Sequence, residues 1–296
     1  MTVEKRQGKS TLLTINGETK TTTEWAKEKG ITSAIINRRI RSGWAEEKIF
    51  DNVQSMPRYS FNEHYFDTID NEYKAYWIGF IWCDGYMAIR NRNNHISYEF
   101  KLSLKNTDCE HLKKFNTHLD GNYEINFYDC NSSFGKTTES RLLITNQHFG
   151  RTLVDKYGII PHRKDCSKLL NNIPDHLMKH FIRGVLDADG SFLKYNIVER
   201  GYTVTKYHIS VGTNEQILRA IEKHLIDQQL IASCERKLNK RHKENNRDGE
   251  YRSLDFSPKN QCLNILNYIY KDAMVYLDRK YNKYLQIMEV TNCNIE

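Results

Sequence analysis

No stretch of the 296 residues approaches the roughly 20 consecutive apolar positions that a membrane-spanning helix needs. The opening residues, MTVEKRQGKS, lack the apolar segment of a secretory signal. Seven cysteines are scattered without one CxxC pair, so neither a disulfide framework nor a zinc site is expected from them. A reducing cytoplasm fits these absences, with no membrane partner. No Gly-rich phosphate loop is present. His176 and His180 stand four apart but lack the Glu of a HExxH zinc motif. The chain starts at Met1 and finishes Asn292-Cys293-Asn294-Ile295-Glu296, with no His before either Asn. A self-splicing intein is therefore not expected.

What is present is basic. The net charge of +7 and a pI near 8.9 favour a polyanionic partner. Over half of that excess lies in residues 1–50, which hold ten Lys/Arg against six Glu, a net of +4.

Two stretches organise the rest. Tyr76-Trp77-Ile78-Gly79-Phe80-Ile81-Trp82-Cys83-Asp84-Gly85 is echoed by Phe181-Ile182-Arg183-Gly184-Val185-Leu186-Asp187-Ala188-Asp189-Gly190. Each is an apolar run ending in Asp-Gly, with a Gly five residues before that Asp. Asp84 and Asp189 lie 105 positions apart, which suggests two similar half-domains. Tyr73, Tyr76, Trp77, Phe80 and Ile81 fall on the i, i+3, i+4, i+7, i+8 face of a buried helix. Ala75, Gly79 and Cys83 make a second stripe of small residues, as Gly184 and Ala188 do in the echo. Gly inside a helix costs up to about 1 kcal/mol against Ala, so it asks for close backbone packing. Gly85 and Gly190 are expected to stop the helices in the left-handed conformation. If the small stripes face each other, Asp84 and Asp189 meet at two helix C-termini. Carboxylates crowded there attract a divalent cation, and carboxylate oxygens with waters are what Mg²⁺ takes.

These residues resemble the paired motif of the LAGLIDADG homing endonucleases, over roughly residues 60–290. The second stretch is close to the motif; the first has Trp82 where an acid is common and Cys83 where a small residue is expected. The resemblance implies an α+β fold of two pseudo-symmetric αββαββα halves forming a DNA-binding saddle. It implies a site-specific DNA endonuclease that hydrolyses phosphodiester bonds with Mg²⁺ or Mn²⁺, acting as a monomer on double-stranded DNA. An intron maturase, with intron RNA as partner, or a DNA-binding regulator on the same scaffold is the alternative. Asp84 and Asp189, with Gly85 and Gly190 beside them, become the metal ligands. The family's basic residue before a late helix maps onto Lys164, in Ile160-Pro161-His162-Arg163-Lys164, and Lys280, in Tyr276-Leu277-Asp278-Arg279-Lys280. The family's strand Gln is missing near Leu104 and Val211.

In chain order, residues 1–9 read as a flexible basic start. Residues 11–23 read as a hairpin about Asn16-Gly17. Helices follow at 23–30 and 32–41, the second rich in Arg. This pair resembles a helix-turn-helix, with Arg38 and Arg39 toward DNA. The expected domains are 1–55, a small DNA-binding module; 56–165, the first half; and 166–296, the second. Strands are expected at 86–90, 97–104, 123–130 and 140–145, then at 192–198, 204–211, 233–238 and 251–256. The alternation of Tyr98, Phe100, Leu102 and Leu104 with Glu99, Lys101 and Ser103 gives a sheet with one packed and one polar face, a natural saddle for a duplex. Lys101, Arg90, Arg92, Lys194, Lys206 and His208 are candidate DNA contacts. So are Arg236, Lys237, Lys240 and Arg241, in a basic connection suited to phosphates.

Overall fold

The computed structural model describes residues 2–5, 11–51, 59–92, 95–132, 135–161, 165–234, 236–240 and 251–292. It divides into two compact units, Met1–Arg58 and Tyr59–Glu296.

In the first unit, β1 (Thr2–Lys5), β2 (Thr11–Ile15) and β3 (Glu18–Thr21) form an antiparallel sheet in that order. The expected hairpin is there: Asn16 and Gly17 both take positive φ, as a two-residue turn requires. The reading of residues 1–9 as a flexible start is corrected at Thr2–Lys5, which pairs with β2. Helix α1 (Thr22–Lys29) starts on a capping box, in which Thr21 and Glu24 satisfy each other's backbone donors. It stops at Gly30 in the left-handed conformation. Helix α2 (Ser33–Arg41) is capped by Thr32. Leu13, Ile15, Trp25, Ala26, Ile36 and Ile49 make a core of their own, and the Trp25 indole donates to the Leu13 carbonyl at 2.9 Å.

The second unit repeats one order of elements. Its first half runs α3 (Glu72–Asp84), β4 (Gly85–Arg92), β5 (His95–Lys105), α4 (Cys109–His118), β6 (Asn126–Ser132), β7 (Gly135–Thr145), α5 (Gln147–Asp155). A short helix, α6 (Cys166–Leu170), follows. The second half runs α7 (Met178–Asp189), β8 (Gly190–Glu199), β9 (Tyr202–Asn214), α8 (Glu215–Asp227), β10 (Asn239–Lys240), β11 (Tyr251–Phe256), α9 (Lys259–Tyr270), and then α10 (Asp278–Asn292). The sheets are β4-β5-β7-β6 and β10-β11-β9-β8, each antiparallel. The fold is the expected α+β arrangement. One strand was misplaced: the edge strand that pairs with β11 is Asn239–Lys240, not residues 233–238.

One apolar core underlies both sheets. On β5, Phe100, Leu102 and Leu104 point into it, while Lys101 and Ser103 are on the opposite face. On β9, Tyr207, Ile209 and Val211 are the inward set. Leu104 and Val211 are thus core positions, where a Gln would be buried beside apolar neighbours. No helix among the described residues is long and apolar enough to cross a membrane.

Candidate active site

The site begins with two glycines. A Cβ on Gly79 would lie 2.4 Å from the Phe181 carbonyl oxygen, and one on Gly184 would lie 2.1 Å from that of Tyr76. Helices α3 and α7 therefore meet backbone to backbone, as their small-residue stripes imply. Both helices end at an acid, Asp84 and Asp189, and the next residue begins a strand.

The glycines after the acids work differently from the sequence reading. Gly85 (φ −75°) and Gly190 (φ −84°) are extended, not left-handed. Their necessity is steric: a Cβ would sit 2.5 Å from the Ile81 carbonyl oxygen in one case and 2.5 Å from that of Leu186 in the other. Glycine lets the chain pass from helix to strand in one step, so each acid stays at the junction of helix and sheet.

Lys280, in the first turn of α10, is buried. Its ammonium donates to the carbonyls of Leu186 (3.2 Å) and Gly190. Burial pushes it down to about 8, against the opposing pull of Asp187 and, more weakly, of Asp189 and Asp84. Both acids therefore act on one ammonium. The Gly190 carbonyl, expected beside the metal ligands, is engaged by this lysine. Asp189 and Asp84 are half-buried, and Asp189 accepts from the Tyr251 hydroxyl at 2.7 Å. That hydroxyl's single proton is shared with the Gly212 carbonyl, 2.9 Å away. Tyr251 escaped the sequence reading because only the β9–β11 register, with Tyr251 opposite Asn214, brings it there.

Asp187, two residues before Asp189, is completely buried. It accepts from the hydroxyls of Tyr76 (2.8 Å) and Tyr270 and from the Leu277 backbone N–H (2.7 Å). Burial raises its carboxyl from the ordinary value, and the three donors pull the other way. It fixes the turn that carries Lys280, so its part is architectural. In the first stretch the matching position is Trp82, whose indole donates to Thr213 at 3.2 Å. Oxygen donors from two carboxylates beside a basic group suit a hard divalent cation.

The candidate DNA contacts divide by sheet face. Arg90 and Lys101 lie on the outer face of the first sheet, Arg90 paired with Glu99 at 2.8 Å and Lys101 over the Tyr86 ring. Lys206 and His208 lie on the outer face of the second, beside Glu199 (2.9 Å) and Asp255 (3.4 Å). Lys194 is a correction: it pairs with Tyr207, on the side packed against the core, and sits over that ring. Arg236 is another, since its guanidinium is bound to the Ala232 and Cys234 carbonyls and to Gln261, and stacks over Phe256. Lys237 is exposed. Arg39 is a third correction. It is buried, donates to the Ile49 (2.7 Å) and Asp51 (2.8 Å) carbonyls, and stacks on Trp44. Arg38 is exposed on α2. Lys164 and Arg241 lie outside the described residues, as do the side chains of Arg92 and Lys240.

No protein-family model matches the chain, and no curated protein does. Solved structures do. The LAGLIDADG meganuclease I-CpaMI bound to uncleaved DNA is similar at a TM-score of 0.50 and 14% identity, over 76% of this chain and 92% of that one. A double mutant of I-SmaMI is similar at a TM-score of 0.50 and 12% identity, over 76% and 92%. At such identity the likeness is one of fold.

Proposed function

We propose that this chain, which has the fold of the LAGLIDADG homing endonucleases, is a site-specific double-stranded DNA endonuclease. It acts as a monomer, with Mg²⁺ or Mn²⁺. The observation that carries this reading is the convergence of Asp84, Asp189 and the buried Lys280 ammonium at the ends of two helices in backbone contact. I-CpaMI, of the same fold, has been captured bound to DNA.

A divalent cation held by Asp84 and Asp189 would supply charge to polarise the phosphate and to activate water. The remaining work falls to the chain. The outer sheet faces offer Arg90, Lys101 and Lys206 to the duplex, each beside a carboxylate or ring that fixes its direction. Tyr251 holds one orientation of the Asp189 carboxylate. Lys280, at about 8, carries a proton that is labile near neutral pH, which suits a group that stabilises or protonates the leaving oxygen. In the first unit, Arg38 and the other exposed bases add phosphate contacts that anchor the enzyme.

The test is purified protein with Mg²⁺ or Mn²⁺ and a plasmid bearing the uninterrupted sequence around its own gene. A single double-strand cut is expected. Binding without any cut, under both metals, would move the assignment to a maturase or regulator on this scaffold.

A further inference from the structure

Outside the acid pair, one cluster has metal-ligand chemistry. His64 and Asp67 lie in the turns before α3, and His148 lies in the first turn of α5. The Asp67 carboxylate is shared: one oxygen is 2.7 Å from Nδ1 of His64, the other 2.6 Å from Nε2 of His148. The two imidazoles lie against each other beside it, ring centroids 4.2 Å apart and planes tilted by 50°. One nitrogen of each ring and a carboxylate oxygen all fall within 4.8 Å of one another. Tetrahedral Zn²⁺ with bonds of about 2.0–2.1 Å needs ligand atoms roughly 3.3 Å apart, so small side-chain rotations suffice. The Glu63 carboxylate lies beside them, one oxygen 3.9 Å from Nε2 of His64 and the other held by Asn146 at 2.6 Å. Lys156 is the opposing cation, and it is engaged by the Asp67 backbone carbonyl.

We propose that His64, Asp67 and His148 bind a borderline divalent cation of the zinc class, at a site separate from the acid pair. Two imidazoles and one carboxylate with an open fourth position are a zinc-type ligand set; Mg²⁺, which takes oxygen ligands, is poorly served by it. The site lies before the N-terminus of α3, and α3 runs about 18 Å to Asp84. The cation joins the chain entering α3 to α5, a link that now rests on hydrogen bonds: Asp67 also takes Thr152, and the Tyr157 hydroxyl donates to the Phe66 carbonyl. It is a staple on the catalytic unit, not part of the cutting chemistry.

The experiment titrates the chelator-stripped protein with Co²⁺, then Zn²⁺, beside His64→Ala, His148→Ala and Asp84→Asn/Asp189→Asn. The wild type is expected to take up one equivalent of Co²⁺ with the strong visible absorption of a tetrahedral site. Zn²⁺ should displace it and raise Tm, and excess Mg²⁺ should not. Each histidine variant should bind at least tenfold more weakly and lose the Tm gain, while the acid variant keeps both. His64 is largely exposed, so its removal opens no core cavity and the variant folds. A wild type with no such band, or a His64→Ala protein that binds as tightly as wild type, would overturn the site and leave a plain His–Asp–His hydrogen-bonded clamp.

Discussion

At the scale of single residues, Lys280 carries a cost that depends on pH. Unfolded, it holds its proton to about 10.5; folded, only to about 8. Between those values the unfolded chain binds more protons, so this residue's contribution to stability rises with pH. Below about 8 the penalty is full, on the order of 3 kcal/mol. Replacing it with Met should therefore remove the rise in urea-unfolding stability between pH 8 and pH 10 while suppressing DNA cutting. Retention of that rise in Lys280→Met would mean another group is responsible. For the acids, Asp84→Asn or Asp189→Asn should lower cleavage by on the order of a hundredfold or more, because the amide loses the charge that holds a hard cation. Binding measured with Ca²⁺ should persist in both. The acids were legible as a pattern because a Gly-spaced apolar run before Asp-Gly is unusual, whereas Lys280 was reached only through the family resemblance, on the Arg279-Lys280 pair. Tyr251 was not, because sequence carries no record of strand register. Arg39 and Arg236 were misassigned for a related reason. A basic residue in a polar segment looks solvated until the carbonyls that capture it are in place.

At the scale of elements, most boundaries were readable from periodicity and caps. Helices α3 and α7 end at the acids, as expected. Gly85 and Gly190 show the limit. A glycine after a helix suggested a left-handed stop, but the chain passes straight into a strand, and the clash of a Cβ with the carbonyl four residues back is what demands glycine. The seam glycines lead to a prediction. Gly184→Ala puts a methyl group against the Tyr76 carbonyl, and backbone cannot yield as a side chain would. It should destabilise the protein by about 1–3 kcal/mol, toward the upper end, and reduce cleavage by moving the acids apart. Denaturant unfolding and plasmid cleavage check the two parts; a variant as stable and active as wild type would mean the seam has slack.

At the scale of the whole molecule, each unit has its own core. Deleting residues 1–58 should therefore leave a folded catalytic unit. With the first unit's basic excess gone, DNA affinity should fall and its dependence on salt should flatten, because fewer counterions are released. Cutting at saturating enzyme should survive. An unchanged salt slope would deny the first unit any part in binding. Within the larger unit the halves are not interchangeable. Asp187 ties Tyr76 of the first half to Tyr270 and Leu277 of the second, whereas Trp82 reaches across to Thr213. The repeat was visible in the sequence; this asymmetry was visible only as one odd tryptophan.

The contact between α3 and α7 is also a ruler. With no side chain between the two backbones at Gly79 and Gly184, the interval between the helices there is set by the thickness of the main chain. Under the proposed activity, the stagger between the two cut bonds is then a property of the seam alone. The outer faces of the sheets can be recoded for a new target, residue by residue, without altering the shape of the DNA ends produced.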